Sequence, residues 1–165
     1  MAPKPQPVNI GDVTARLETF RNIPVGLVVW QLRDARDARS LRLIDFNGAA
    51  EREAGAPIGV HVGQAIADIY PAILETDLLE RYRQVIVSGK PMTLGEVCYG
   101  DMNIPKSVFW LDCFPLPDNC VGVAFENITE RKRREQTKAG ALRLLHKITV
   151  AINGSNIGRG RTGLS

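Results

Sequence analysis

Two histidines and three cysteines are the strongest candidate nucleophiles and metal ligands in this 165-residue sequence, and none is spaced for catalysis or coordination. Cys98, Cys113 and Cys120 form no Cys-x-x-Cys pair, and an odd number of thiols cannot all pair within one chain. No two histidines or cysteines sit at the separations a zinc site uses. Reduced cysteines in apolar segments act as small core fillers; Cys98 and Cys113, if they lie on neighbouring strands, are the pair placed for a redox switch. The sequence has no paired catalytic carboxylates in context, no nucleophile motif and no phosphate loop. No catalytic residue and no metal ligand is therefore expected.

The remaining chemistry is that of binding and relay. Trp30, Tyr82 and Tyr99, with Trp110 beside them, each join an apolar ring to a polar handle. Leu43, Phe109, Leu111, Val123 and Phe125 are expected to point inward with them and to line a small apolar pocket, as are Val25, Leu27 and Val29 or their alternates. The other reading is plain core packing, because a domain of roughly 110 residues needs most of its apolar side chains for stability. The relay candidates are Asn127, Ile128, Thr129 and Glu130. Val121, Val123 and Phe125 alternate with Gly122, Ala124 and Glu126, the period of a strand with one apolar face. A charged helical stretch follows with no loop between. Asn127 is the preferred N-cap, with Glu130 three residues on to complete a capping box; Thr129 is the alternative cap.

These residues need elements to hold them. A helix is expected over Asp12 to Arg21, strands over Val25 to Leu32 and Leu41 to Phe46, and a short helix over Gly48 to Ala54, opened by Asn47 and stopped by Gly55. A further helical turn or two falls in Val62 to Tyr70. The clearest helix runs from Ile73 to Ser88, with Leu74, Leu78, Leu79, Tyr82, Val85 and Ile86 on one face and Gly89 at its end. Strands follow at Met92 to Tyr99, Val108 to Leu116 and Cys120 to Asn127, with turns at Gly100-Asp101 and Pro117-Asp118-Asn119. Such short turns require an antiparallel sheet.

Charge divides the chain. Residues 8–127 carry 11 Lys/Arg and 16 Asp/Glu, whereas residues 128–165 carry 9 and 2. A solvated basic helix explains the second part better than a nucleic-acid site does. No run is long and apolar enough for a membrane span, Met1 to Pro7 has no signal-peptide core, and a cytoplasmic location is expected.

In this order the residues resemble a PAS domain. Ile23-Pro-Val-Gly-Leu-Val-Val-Trp30 resembles the opening strand of that family, and Ile44 to Arg52 its second strand and the asparagine, Asn47, that starts its first short helix. Gly63 to Pro71 is similar to the next segment, and Phe109-Trp-Leu-Asp-Cys-Phe-Pro-Leu116 to the penultimate strand. Asn127-Ile-Thr-Glu-Arg131 is similar to the Asp-Ile-Thr-Glu-Arg pattern that ends the last strand. The resemblance covers about Thr19 to Arg134 and departs at Asn127, where the family commonly has Asp. Asparagine caps a helix as well but lacks the charge.

The resemblance implies an α+β fold: a five-stranded antiparallel sheet with helices on one face and a C-terminal signalling helix. It also implies a non-catalytic sensory module that binds a small molecule, haem, flavin or nothing between sheet and helices. Haem-binding relatives carry a histidine on the long helix, and Ile73 to Ser88 has none; His61 reads as a surface loop residue. The Asn-Cys-Arg-Phe-Leu motif of photoactive flavin relatives is missing, and no cysteine precedes Cys98. His146 is followed by Lys147 and Ile148, unlike the acceptor of a histidine kinase. The expected organisation is an arm at 1–11, a sensor domain at 12–127, a signalling helix at 128–153 and a flexible tail at 154–165. Ile128, Leu142, Leu145 and Ile152 fall on a heptad seam, with Leu144, Ile148 and Ala151 beside it, so a homodimer through this helix is expected. The effector is expected in another chain or in a missing part of this one. The alternatives are a sensor fragment of a histidine kinase or other phosphorelay protein, and a nucleic-acid-associated regulator using Arg131 to Arg134.

Overall fold

Period-two alternation of apolar residues produces five strands: β1 (Gly26–Leu32), β2 (Leu41–Phe46), β3 (Met92–Tyr99), β4 (Ser107–Leu116) and β5 (Cys120–Asn127). The structure is a computed structural model that describes residue 18 and residues 21–159, with side chains described up to residue 154. The arm at 1–11, most of the helix expected at Asp12 to Arg21, and residues 160–165 lie outside the described residues. The strands form one antiparallel sheet in the order β2-β1-β5-β4-β3. The last strand of the sheet in sequence is thus its centre. Asp118 and Asn119 close the β4–β5 hairpin with left-handed backbones, φ 62° and 56°, which short amide and carboxylate side chains tolerate.

Strands β2 and β3 are the two edges, so the chain between them must cross one sheet face. It does so through α1 (Gly48–Ala54), a 3-10 turn at Gly59–His61, α2 (Ile66–Ile69), a 3-10 turn at Pro71–Glu75, and α3 (Leu78–Ser88). The apolar faces of these elements meet the inward sheet residues in one core. Asn47 caps α1 by accepting from the Ala50 amide at 3.0 Å. Gly89 ends α3 in the left-handed region at φ 67°. Glu51 fixes the loop after α1: its Oε1 accepts from the amides of Ile58 (2.8 Å) and Gly59 (3.1 Å), which hold its carboxyl below the usual carboxylate range.

Several expectations need correction. The helix from Ile73 to Ser88 is interrupted. The Thr76 hydroxyl donates to the Ile73 carbonyl and accepts from the Leu78 amide, so a 3-10 turn ends there and α3 begins afresh. Ile73 is accordingly buried, while Leu74 faces outward. The helical turn expected in Val62 to Tyr70 is present as Ile66–Ile69, and it starts no earlier because the backbones of Gly63 and Gln64 are engaged by Leu43 of β2. In β1 the expectation left the phase open, and the inward set is the alternate one, Val28, Trp30 and Leu32, rather than Val25, Leu27 and Val29. Both phases of that strand are apolar, so alternation alone could not choose between them. Cys98 and Cys113 do sit on neighbouring strands, but Cys98 is paired across from Val108 and Cys113 from Met92. The Cys113 thiol is buried, and burial pushes its pKa up to about 12. The two are not placed for a redox pair.

Residues Met1–Ile128 and Thr129–Ser165 form two separate compact units. The second is a single helix, α4 (Thr129–Arg159), which passes Gly140 and Gly154 without a break. The expected flexible tail at 154–165 is therefore helical as far as Arg159, since extending a formed helix costs far less than starting one. Its large apolar residues Leu142, Leu144, Leu145, Ile148, Val150 and Ile152 are exposed. Pairs at i,i+3 support its first turns, Glu130 with Arg133 at 3.0 Å and Lys132 with Glu135 at 3.9 Å.

Candidate ligand cavity and strand-to-helix junction

Four sheet strands supply one wall of a cavity of about 90 Å³ between sheet and helices. Trp30 comes from β1, Phe109 and Leu111 from β4, and Val123 and Phe125 from β5. These positions are in register: Val28 pairs with Val123, and Leu111 with Phe125, so the side chains project to the same face. Tyr99 of β3 and Tyr82 of α3 complete seven of the eight residues expected at a pocket. Leu43 is not among them. It is fully buried on β2 across from Trp30, in the core rather than at the cavity. Trp110 points the opposite way, with its Nε1 donating to Asp112 at 3.1 Å.

Side chains that sequence reasoning did not single out fill the gaps. Tyr70, at the end of α2, stands edge-on to both Trp30 and Tyr99, with ring centroids 6.2 Å apart in each pair. Phe109 and Phe125 make a third edge-on pair at 6.0 Å. Ile104 closes one end from the β3–β4 loop, and Asp101 places it there. The Asp101 Oδ1 accepts from the amides of Asn103 (2.8 Å) and Ile104 (3.0 Å), and its other oxygen accepts from the Tyr99 hydroxyl. Asn103 Nδ2 then donates to the Ile69 carbonyl at 2.7 Å, tying the loop to α2. An Asp two residues after a strand was visible as a turn signal; its grip on the cavity wall was not.

Burial raises the pKa of each cavity tyrosine. That of Tyr70 goes to about 12, with Asp101 adding to the effect. Tyr82 and Tyr99 are also raised, Tyr99 in part by its hydrogen bond to Asp101. All three hydroxyls stay protonated at neutral pH. The lining contains no histidine, cysteine or basic residue, and no group of three metal-binding side chains occurs among the described residues. Neither haem, which needs an axial ligand, nor a flavin fits a cavity this small. His61 lies outside the lining, half-buried, with Nδ1 3.1 Å from Gln64 Oε1.

The junction begins where the cavity wall ends. Two residues after Phe125, the Asn127 amide donates to Glu53 Oε2 at 2.7 Å, and its Nδ2 donates to the Glu53 carbonyl at 3.2 Å. The expected reciprocal half of a capping box is thus replaced, because Glu53 of α1 occupies the amide that Glu130 was to reach. Ile128, assigned above to the helix and its seam, belongs to the first unit: it is 2% exposed and its amide donates to the Val108 carbonyl at 2.8 Å. The helix itself starts at Thr129.

Solved structures with this arrangement are numerous. An RNA-binding light-oxygen-voltage receptor superposes with a TM-score of 0.57 at 15% identity, over 90% of this chain and 42% of its own. A PAS domain from Colwellia psychrerythraea gives 0.54 at 20% identity, over 72% and 98%. The fold is that of a PAS domain. A second PAS domain, from a LuxR-family transcriptional regulator of Burkholderia thailandensis in complex with ethanol, gives 0.51 at 16% identity, over 68% and 96%. This chain thus spans less than half of the light-oxygen-voltage receptor but nearly all of the two isolated PAS domains. No family model and no curated protein matches the sequence. In PAS terms, the cavity lies between the sheet and the helical crossing, and β5 is the strand that leads out of the domain.

Proposed function

We propose that this PAS-fold domain is a non-catalytic sensory module. It reports the state of its cavity through β5 to α4, and so to an effector in another chain or another part of a longer regulator. The observation that carries this reading is the double duty of β5. Val123 and Phe125 form cavity wall, while the next residues, Asn127 and Ile128, are clamped by Glu53 and Val108 directly before the helix. Glu53 itself precedes Ala54, another lining residue. A change at the cavity therefore reaches Asn127 by two routes, along β5 and through α1. The ethanol-bound PAS domain supports a small molecule as the signal. Exposed Leu142, Leu145, Ile148 and Ile152 support self-association of α4 as the output.

The test uses xenon, which enters small apolar cavities, with amide hydrogen exchange as the readout. Xenon is expected to change protection over residues 129–135 in the parent, and Asn127→Ala to lose that response while remaining folded. An unchanged response in Asn127→Ala, or none in the parent when xenon is demonstrably bound, refutes the relay.

A further inference from the structure

Tyr82 is 4% exposed, and its hydroxyl makes no hydrogen bond to any described residue. A sealed hydroxyl in that condition costs free energy. Yet no side-chain nitrogen or oxygen of the described residues is both hidden from solvent-sized space and unpaired. The Tyr82 hydroxyl therefore keeps some accessible surface, and its residue lines the cavity. Trp30 is in the same condition: it is 3% exposed, it lines the same cavity, and its indole N–H has no acceptor among the described residues. Of the other two cavity tyrosines, Tyr99 is satisfied by Asp101, whereas the half-buried Tyr70 hydroxyl likewise makes no hydrogen bond to a described residue. An otherwise apolar cavity thus holds a buried hydroxyl and an indole N–H that both lack a partner.

We infer that the cavity takes a short-chain, uncharged oxygenated molecule, a ketone, aldehyde or alcohol, whose oxygen hydrogen-bonds to the Tyr82 hydroxyl. The inference rests on the sensory reading above and names the class of its ligand. Size sets the upper bound. An apolar cavity of about 150 Å³ takes benzene, so one of about 90 Å³ takes fewer heavy atoms, roughly four. Charge sets the second limit, because a carboxylate would be desolvated with no basic residue on the wall to pair with it. The unpartnered donors set the third: a pure hydrocarbon would leave both unpaired, whereas a carbonyl oxygen accepts from either.

The test is a titration of the isotopically labelled full chain, followed through backbone amide resonances, with acetone, acetate and xenon as probes. Acetone is expected to shift cavity amides saturably, and acetate to leave them unmoved. Tyr82→Phe removes a hydroxyl that has no partner in the free protein, so it is expected to fold as well as the parent and to keep its xenon response. Its acetone affinity is expected to fall about tenfold, the worth of one buried hydrogen bond. Equal acetone affinity in Tyr82→Phe overturns the proposal, as does xenon entry without acetone binding, acetate binding as tightly as acetone, or no response to any probe. The relay is read separately from exchange at residues 129–135, so a wrong ligand class leaves that measurement standing, and a silent helix leaves this one.

Discussion

Asn47 is 1% exposed and uses both ends of its amide. Its Oδ1 accepts from the amides of Leu27 (2.9 Å) and Ala50 (3.0 Å), and its Nδ2 donates to the Val25 carbonyl at 2.9 Å. One side chain caps α1 and anchors the start of β1. Asn47→Ala is expected to cost about 2–4 kcal/mol, a lost cap plus buried amides left without acceptors, measured by urea unfolding with an unchanged slope. The cap was legible because Asn precedes a short apolar helix; the bond to Leu27, twenty residues earlier, was not, since nothing local encodes it. Glu53 was missed for the same reason. Its partner Asn127 is 74 residues away, and a glutamate on a helix surface carries no mark of such a contact. Tyr82 was named from its place on an apolar helix face, but only the fold shows that its hydroxyl has no partner among the described residues.

At the scale of elements, strands with one apolar face were readable to within a residue, whereas β1, apolar on both, hid its inward phase. The broken helix before α3 was hidden because a threonine that turns its hydroxyl to the backbone looks like any other residue of a helical pattern. Packing between strands adds a constraint of its own. Phe114 of β4 lies over Gly122 of β5, where an added Cβ would come within 2.3 Å of the ring. Gly122→Ala is expected to destabilise the first unit by about 1–3 kcal/mol through overpacking, and Phe114→Leu in the same chain to recover part of that loss. For α4, Leu145→Glu is expected to weaken self-association, which native mass spectrometry over a dilution series reads directly. Constant mass in parent and variant refutes the helix as the dimer contact.

For the molecule as a whole, burial has a consequence for alkaline stability. The Cys113 thiol and the Tyr70 hydroxyl are held at about 12, above their ordinary values. The unfolded chain gives up these protons first as pH rises, so it gains free energy that the folded chain does not. Stability is therefore expected to be full below about pH 8.5, the ordinary thiol value, and to fall progressively from there towards pH 12. Unfolding midpoints in urea across that range check the sign, and Cys113→Ala is expected to flatten the first part of the fall. In the native state at neutral pH a thiol reagent is expected to label exposed Cys98 before buried Cys113 and Cys120.

The place of β5 has a further consequence, for synthesis. A ribosome delivers β1 and β2 early, but the inner edge of β1 meets its partner only when Cys120–Asn127 has emerged. Until then β1 and β4 each present an unpaired edge, the kind of surface that recruits other chains. Nascent chains of this protein are thus committed to waiting, aggregation-prone, for nearly the whole of the first unit to be made. A chain truncated after Asn119 is expected to be insoluble, whereas one ending shortly after Ile128 is expected to fold.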